Sequence, residues 1–172
     1  MVRVGKEEFE KRRGFLLGMG VNFVRAIRGI DGIERIALIG SLCTNKAKPK
    51  DIDILLSIRP GLDLAELARR ARSLKGATQS IASGADIFLA EEGRYIGRIC
   101  GYRERFPRVR CLALHCGLRP HLNDDLTNVQ LKDSLIDDPP LVLWPDWIAK
   151  PGLPKDTLEI LRRGLAEKEP GA

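Results

Sequence analysis

The residues best suited to chemistry are two aspartates, Asp51 and Asp53, which a single isoleucine separates in the apolar run 51–56. This run predicts a β-strand. Because side chains alternate along a strand, both carboxylates point to one face, while Ile52 and Ile54 point into a core. Two neighbouring carboxylates repel each other, and this repulsion raises the pKa of one of them unless a cation lies between them. The pattern therefore indicates a site for a divalent cation that prefers oxygen ligands, such as Mg²⁺.

Two further features accompany this pair of acids. Gly40 and Ser41 follow an apolar run at 36–39 that predicts a strand, and they come shortly before Asp51. A later apolar run at 85–89 carries a third acid, Asp86, near its start. A strand, a Gly-Ser pair, a strand with Asp-x-Asp, a helix and a strand with one more acid therefore follow one another along the chain.

This order resembles the DNA polymerase beta-like nucleotidyltransferase superfamily, and within it the small bacterial minimal nucleotidyltransferases. The resemblance covers roughly residues 20–90 and is a hypothesis that its structural context must support. It implies that Asp51, Asp53 and Asp86 are catalytic and hold two Mg²⁺ ions, with Asp86 on the catalytic ion near the attacking hydroxyl. It also implies that Gly40 and Ser41 bind the phosphates of the nucleotide.

The link between the Gly-Ser pair and the acids contains Lys46, Lys48 and Lys50, and Lys50 is the nucleotide-binding candidate among them. For any single lysine, a solvated basic loop is the simpler explanation. Many small members of the family carry an arginine soon after Gly-Ser, whereas this chain continues with residues 42–45 as Leu-Cys-Thr-Asn. This departure keeps open a second reading, in which the same fold binds nucleotide or RNA without turnover.

The resemblance implies an α/β (α+β) nucleotidyltransferase fold, in which a mixed sheet has its helices mainly on one face. We expect a single domain over residues 1–172, with a core at about 6–116 and a C-terminal extension of strands and one helix at about 117–172. The implied activity transfers a nucleoside monophosphate from an NTP, expected to be ATP, to a hydroxyl group. The acceptor is a small molecule, a protein or RNA, and a homodimer or a partner protein would complete the site.

The composition is compatible with this expectation. The 172 residues are 44% hydrophobic and 30% charged, and the net charge of +6 suits an anionic partner. No stretch is long and apolar enough to cross a bilayer. Because residues 1–13 are densely charged and lack the apolar segment of a secretory signal, we expect a cytoplasmic protein with reduced thiols.

Outside the motif, the pattern predicts helices at 6–28, at 63–75 with Gly76 as the stop, and from Pro154 onward. It predicts strands at 109–115, 129–131 and 141–144, and it leaves 91–106 ambiguous because Gly93, Gly97 and Gly101 oppose a helix.

Three other groups of residues have competing explanations. One is a set of cysteines and histidines that could bind zinc or serve as ordinary buried thiols: Cys100, Cys111, Cys116, His115 and His121. The arginine-rich segment 94–110 fits a phosphate-contacting surface or ordinary surface charge. Trp144 and Trp147 could stack on a base or pack against the C-terminal helix.

Overall fold

The computed structural model describes residues 2–100, 119–124, 126 and 129–167, with the backbone alone for residues 2–6 and 9. Its helices are α1 (Val2–Ile27), α2 (Ala65–Gln79), α3 (Asp133–Asp137) and α4 (Lys155–Ala166). Its strands are β1 (Ile33–Ile39), β2 (Asp51–Ile58), β3 (Gly84–Glu91), β4 (Arg94–Ile99), β5 (Leu122–Asn123), β6 (Leu141–Trp144) and β7 (Ile148–Ala149). A short 3₁₀ helix, Gly40–Cys43, follows β1.

The strands form one mixed sheet in the order β5-β4-β3-β2-β1-β6-β7. β2 and β3 are parallel and are joined through α2, whereas the other neighbouring strands in the described ranges pair antiparallel. The predicted mixed α+β architecture is thereby confirmed. β6, which comes from the C-terminal part of the chain, lies directly beside β1.

The two faces of the sheet carry different layers. Alternate residues of β1, β2 and β3, such as Leu38, Ile54 and Ile87, pack with buried side chains of α1, α2 and α4 in the main core. The intervening residues form a smaller apolar layer with Ile136 of α3, and this layer includes Ala37, Ile39, Leu55, Phe88 and Ala90. The opposite face is therefore only partly covered.

The long helix α1 reaches the sheet through a glycine. A Cβ at Gly20 would lie 2.5 Å from Cδ1 of Ile52, so a larger residue would separate the helix from β2. Leu16, Leu17 and Val24 are fully buried on the same side of the helix. The hydrophobic effect of this stripe outweighs the poor helix propensity of glycine, which costs about 1 kcal/mol relative to alanine.

Several sequence-based boundaries change in the structure. α2 continues beyond Gly76 because Thr78 is fully buried and its hydroxyl donates to the carbonyl of Lys75 at 2.9 Å. The ambiguous region contains β4, which follows β3 through a tight turn at Glu92 and Gly93, both with positive φ. The prediction of a strand at 129–131 was wrong, since this segment packs on the sheet without joining it.

The predicted strand at 109–115 lies outside the described residues. No helix in the described part of the chain has the length and apolar character that a bilayer span requires.

Candidate active site

The parallel pairing of β2 with β3 brings two of the predicted acids side by side. Asp53 and Asp86 are register partners, so their Cα atoms are on the order of 4.8 Å apart and their side chains share the face opposite the main core. Asp51 faces the same side two residues earlier, opposite Gly84. A Cβ at Gly84 would lie 2.5 Å from Oδ1 of Asp51, so the glycine makes room for that carboxylate. The three carboxylates therefore gather at the start of the two strands.

Gly40 contacts this group from the end of β1. Its φ of +77° is a left-handed conformation that disfavours other residues. A Cβ at this position would lie 2.3 Å from Oδ2 of Asp53, far inside van der Waals contact. The sequence predicted that Gly40 gives the backbone access to phosphates, and the structure adds a second reason for glycine, which is space for the Asp53 carboxylate.

The electrostatic consequence is clearest at Asp53. Burial, followed by the negative charges of Asp86 and Asp51, raises the pKa of the Asp53 carboxyl from its ordinary 3.8 to about 6. Because the folded state takes up this proton more readily than the unfolded state, ionised Asp53 destabilises the fold. The penalty is absent below about pH 4, grows as the pH rises through 6 and is complete above it. A bound cation would offset this penalty.

Arg98 is a site residue that the motif did not indicate. It lies on β4 beside Phe88, and its Nη1 is 3.2 Å from Oδ1 of Asp86. Both side chains are partly exposed, at 29% for Arg98 and 40% for Asp86. In the sequence, Arg98 belongs to the basic segment 94–110. Its acidic partner could not be predicted, because the contact with Asp86 depends on the register between β3 and β4. Arg98 thus competes with any metal ion for Asp86.

The 3₁₀ helix after Gly40 is held by a buried arginine that sequence reasoning also missed. Arg13 of α1 donates from Nη2 to the carbonyls of Leu42 and Thr44 at 2.9 and 3.1 Å. The same nitrogen lies 2.8 Å from the Thr157 hydroxyl, which itself donates to the Leu42 carbonyl, and Nε lies 2.8 Å from Oδ2 of Asp156. The signal in the sequence was a charged residue within the apolar stripe of α1.

The remaining predicted binding residues lie at the edge of this arrangement. Ser41 is half-buried, and its carbonyl accepts bonds from the Thr44 amide and hydroxyl at 3.1 and 2.8 Å. Lys50 is exposed and directly precedes Asp51. Its carbonyl accepts a bond from the Gly84 amide at 3.2 Å, which aligns the starts of β2 and β3.

The thiol of Cys43, which lies close to the acids, is unreactive. Burial, offset in part by Arg13 and reinforced by the charge of Asp53, raises the pKa of Cys43 to about 12. Its Sγ lies 3.3 Å from the carbonyl oxygen of Leu38. Cys43 is therefore protonated at neutral pH and is no nucleophile, since the thiolate is the reactive form.

The donor chemistry suits Mg²⁺, because three carboxylates supply hard oxygen ligands and their mutual repulsion favours a cation among them. As the side chains stand, no three His, Cys, Asp or Glu residues in the described ranges are arranged as ligands around one point. Asp86 turns towards Arg98 instead. The three carboxylates therefore have suitable chemistry for Mg²⁺ and lie on one face of the sheet, but their side chains are not arranged around a common point.

The suggested zinc cluster and the basic segment 94–110 lie largely outside the described residues. Cys111, Cys116 and His115 of the suggested zinc cluster lie outside the described residues, while the Cys100 amide donates to the His121 carbonyl at 2.8 Å. Most of the basic segment also lies outside them.

The tryptophans support the packing interpretation. Trp144 and Trp147 pack against the main core. The Arg162 guanidinium of α4 lies 5.3 Å from the centre of the Trp147 ring, within the range of a cation–π contact.

Comparisons with protein-family models, with curated proteins and with solved structures found no match. The resemblance to nucleotidyltransferases therefore depends on the motif and on the geometry described above.

Proposed function

We propose that this chain is a Mg²⁺-dependent nucleotidyltransferase that moves a nucleoside monophosphate from an NTP, with ATP as the first candidate, to a hydroxyl acceptor. One observation carries the proposal. The Asp-x-Asp strand and the strand of the third acid are parallel neighbours, with Asp53 opposite Asp86 and the Gly40 backbone against the Asp53 carboxylate. These acids are far apart in the sequence, so the motif alone did not require them to converge.

Asp51, Asp53 and Asp86 would hold Mg²⁺, which when bound would neutralise the phosphate oxygens and polarise the acceptor hydroxyl. Following the resemblance, we assign Asp86 to the acceptor side. The acceptor oxygen attacks the α-phosphorus while its hydroxyl proton passes to solvent, the bond from that phosphorus to the β-phosphate oxygen breaks, and pyrophosphate leaves. The chain's own contribution is to orient the two substrates, and effective concentration of this kind can supply several kcal/mol.

The Gly40–Cys43 turn is the part of the chain that we assign to the triphosphate. Gly40 contacts the Asp53 carboxylate, Ser41 follows it directly, and Arg13 holds the carbonyls of Leu42 and Thr44. Lys50 is exposed beside the acids, where its ammonium group would meet the outer phosphates. We retain the cytoplasmic location expected from the sequence as part of this proposal.

The test is transfer of label from each of the four α-³²P-labelled NTPs in Mg²⁺ to RNA, to lysate protein and to small hydroxylated molecules. We expect one labelled product, lost with EDTA and reduced at least about 10³-fold in Asp53→Asn, because that change removes a metal ligand. Asp146→Asn is the matched control, since Asp146 is an exposed acid outside the site. Failure of every nucleotide to label any acceptor class would refute the enzymatic proposal.

A second candidate is a binding module that holds nucleotide or RNA without turnover. The observation that favours it is the Arg98–Asp86 ion pair, which places a cationic side chain on the third carboxylate. This candidate predicts RNA affinity that falls steeply with salt and that survives Asp53→Asn. The enzymatic proposal predicts covalent label, which binding alone does not produce.

A further inference from the structure

An exposed stripe runs along α1 on the side away from the sheet. Its members recur at alternating steps of three and four residues, which places them on one helix face: Glu8, Lys11, Phe15, Gly18, Asn22 and Arg25. Phe15 is 60% exposed, and among the large hydrophobic residues in the described ranges only Ile148 is equally accessible. A Cβ at Gly18 would meet nothing within 4 Å, so the surface beside Phe15 is open.

From Lys11 to Arg25, the stripe lines a groove of about 810 Å³ between α1 and α4. Ile160 and Gly164 of α4 form part of its opposite wall, together with Arg163. Arg25 is held at the edge of the groove, where its Nη2 donates to the Glu167 carbonyl at 3.2 Å. The groove therefore combines apolar and small residues with three basic side chains, of Lys11, Arg25 and Arg163, and one acidic residue, Glu167.

We propose that this stripe is a dimer interface, in which α1 of a second copy of this chain packs antiparallel along α1. A two-fold axis at the level of residues 16 and 17 places Phe15 of each copy over Gly18 of the other. The same axis places Glu8 of each copy opposite Arg25 of the other.

Charge complementarity selects this occupant and this direction. Glu8 and Lys11 lie towards one end of the stripe and Arg25 lies at the other, so an antiparallel copy sets Glu8 against Arg25 twice and Lys11 against the neutral Asn22. A parallel copy would set the two Glu8 carboxylates, the two Phe15 rings and the two Arg25 guanidinium groups against each other. Isologous contacts of the antiparallel kind are the usual form of a two-fold dimer.

The groove lies on the helical side of the sheet, whereas the carboxylates of Asp51, Asp53 and Asp86 lie on the opposite face. The dimer is therefore independent of the proposed activity, and its failure would leave the nucleotidyltransferase proposal unaffected.

The first experiment is sedimentation equilibrium of the full chain across a wide concentration range. We expect a monomer–dimer equilibrium whose Kd rises at least about 100-fold in Phe15→Ala, because two buried rings are lost per dimer. Ile148→Ala is the matched control, since Ile148 is also 60% exposed but lies on β7. A chain that stays monomeric, or a dimer that Phe15→Ala does not weaken, would overturn the proposal.

Charge exchange tests the direction of packing. Glu8→Arg and Arg25→Glu should each raise Kd about tenfold, because each converts two attractive pairs into repulsive ones. The double variant E8R/R25E should restore the parent Kd, since the exchanged charges still meet. A double variant that is as weak as the two single changes combined would overturn the antiparallel arrangement.

Cross-linking provides a second, independent readout. A mixture of Phe15→Cys chains and Gly18→Cys chains, one of them tagged, should form the mixed disulfide dimer in preference to either homodimer. The parent chain under the same oxidation controls for its own cysteines. Preferential Phe15→Cys homodimers would show parallel packing and would contradict the proposal.

Discussion

Replacing Gly40 with alanine tests the contact on which the candidate active site depends. The substitution places a side chain at a φ of +77°, which costs about 1–2 kcal/mol for a residue other than glycine. It also places the new Cβ 2.3 Å from Oδ2 of Asp53, and overpacking of this kind costs about 1–3 kcal/mol further. We expect Gly40→Ala to lower the free energy of unfolding by about 3 kcal/mol in total.

Gly61→Ala is a closely matched control, because Gly61 has a φ of +75° and nothing lies within 4 Å of its would-be Cβ. It should show the conformational cost alone, about 1–2 kcal/mol. A double-mutant cycle isolates the remainder. In an Asp53→Ala background the nearest remaining side-chain atom is the Cβ of residue 53, at 3.2 Å, so the cost of Gly40→Ala should fall towards that of Gly61→Ala.

The assay is urea unfolding of the four variants of the cycle and the control, compared through midpoints at constant m-value. Label transfer by Gly40→Ala should be lost even where the protein remains folded, since the Asp53 carboxylate must move. Equal costs of Gly40→Ala in the parent and in the Asp53→Ala background would refute the claim that Gly40 is matched to the Asp53 carboxylate.

Three further predictions concern neighbouring groups. In EDTA, Asp53→Asn should raise the free energy of unfolding by about 1–2 kcal/mol at pH 8 and by little at pH 4, whereas Asp146→Asn should change it little at either pH. The rise of the Asp53 pKa from 3.8 to about 6 sets an upper limit of about 3 kcal/mol, which solvent screening reduces. A destabilised Asp53→Asn at pH 8 would contradict this reasoning. Arg98→Gln should tighten Mg²⁺ binding about 2–5-fold by calorimetry, because it removes a competing cation from Asp86, and weaker binding would mean that Arg98 orients this carboxylate for the ion. Arg13→Leu should lower Tm by roughly 6–12 °C, since it breaks a buried hydrogen-bonded network worth about 3 kcal/mol, and an unchanged Tm would exclude that role.

The central part of the fold was predictable because its signals are local. The strand around Asp51 and Asp53 follows from alternation between acids and isoleucines, and β3 follows from a short apolar run. The end of α2 was not predictable in this way, because it depends on the burial of Thr78, which no local pattern indicates. The segment 129–131 has the composition of a strand, but it lies over a face of the sheet and has no strand partner. No local sequence pattern indicates this position.

The same distinction between local and long-range signals applies to the residues of the candidate site. Gly40, Asp51 and Asp53 were predicted from their spacing over β1 and β2, whereas Asp86 on β3 was assigned through the resemblance. Arg98 was missed as a partner of Asp86 because the contact depends on the shift in register between β3 and β4. Arg13 was missed because its partners lie 29 to 144 residues away in the chain, beyond the reach of any periodic pattern.

The bonds that converge on the Leu42 carbonyl have a consequence for biosynthesis. Arg13 emerges early from the ribosome, whereas Thr157 emerges only near the end of translation, yet both donate to the same oxygen. The nascent chain carries all three acids long before this oxygen has its second donor. A product of premature termination before residue 156 would therefore display the whole carboxylate motif while leaving the Arg13 guanidinium without two of its partners, Asp156 and Thr157.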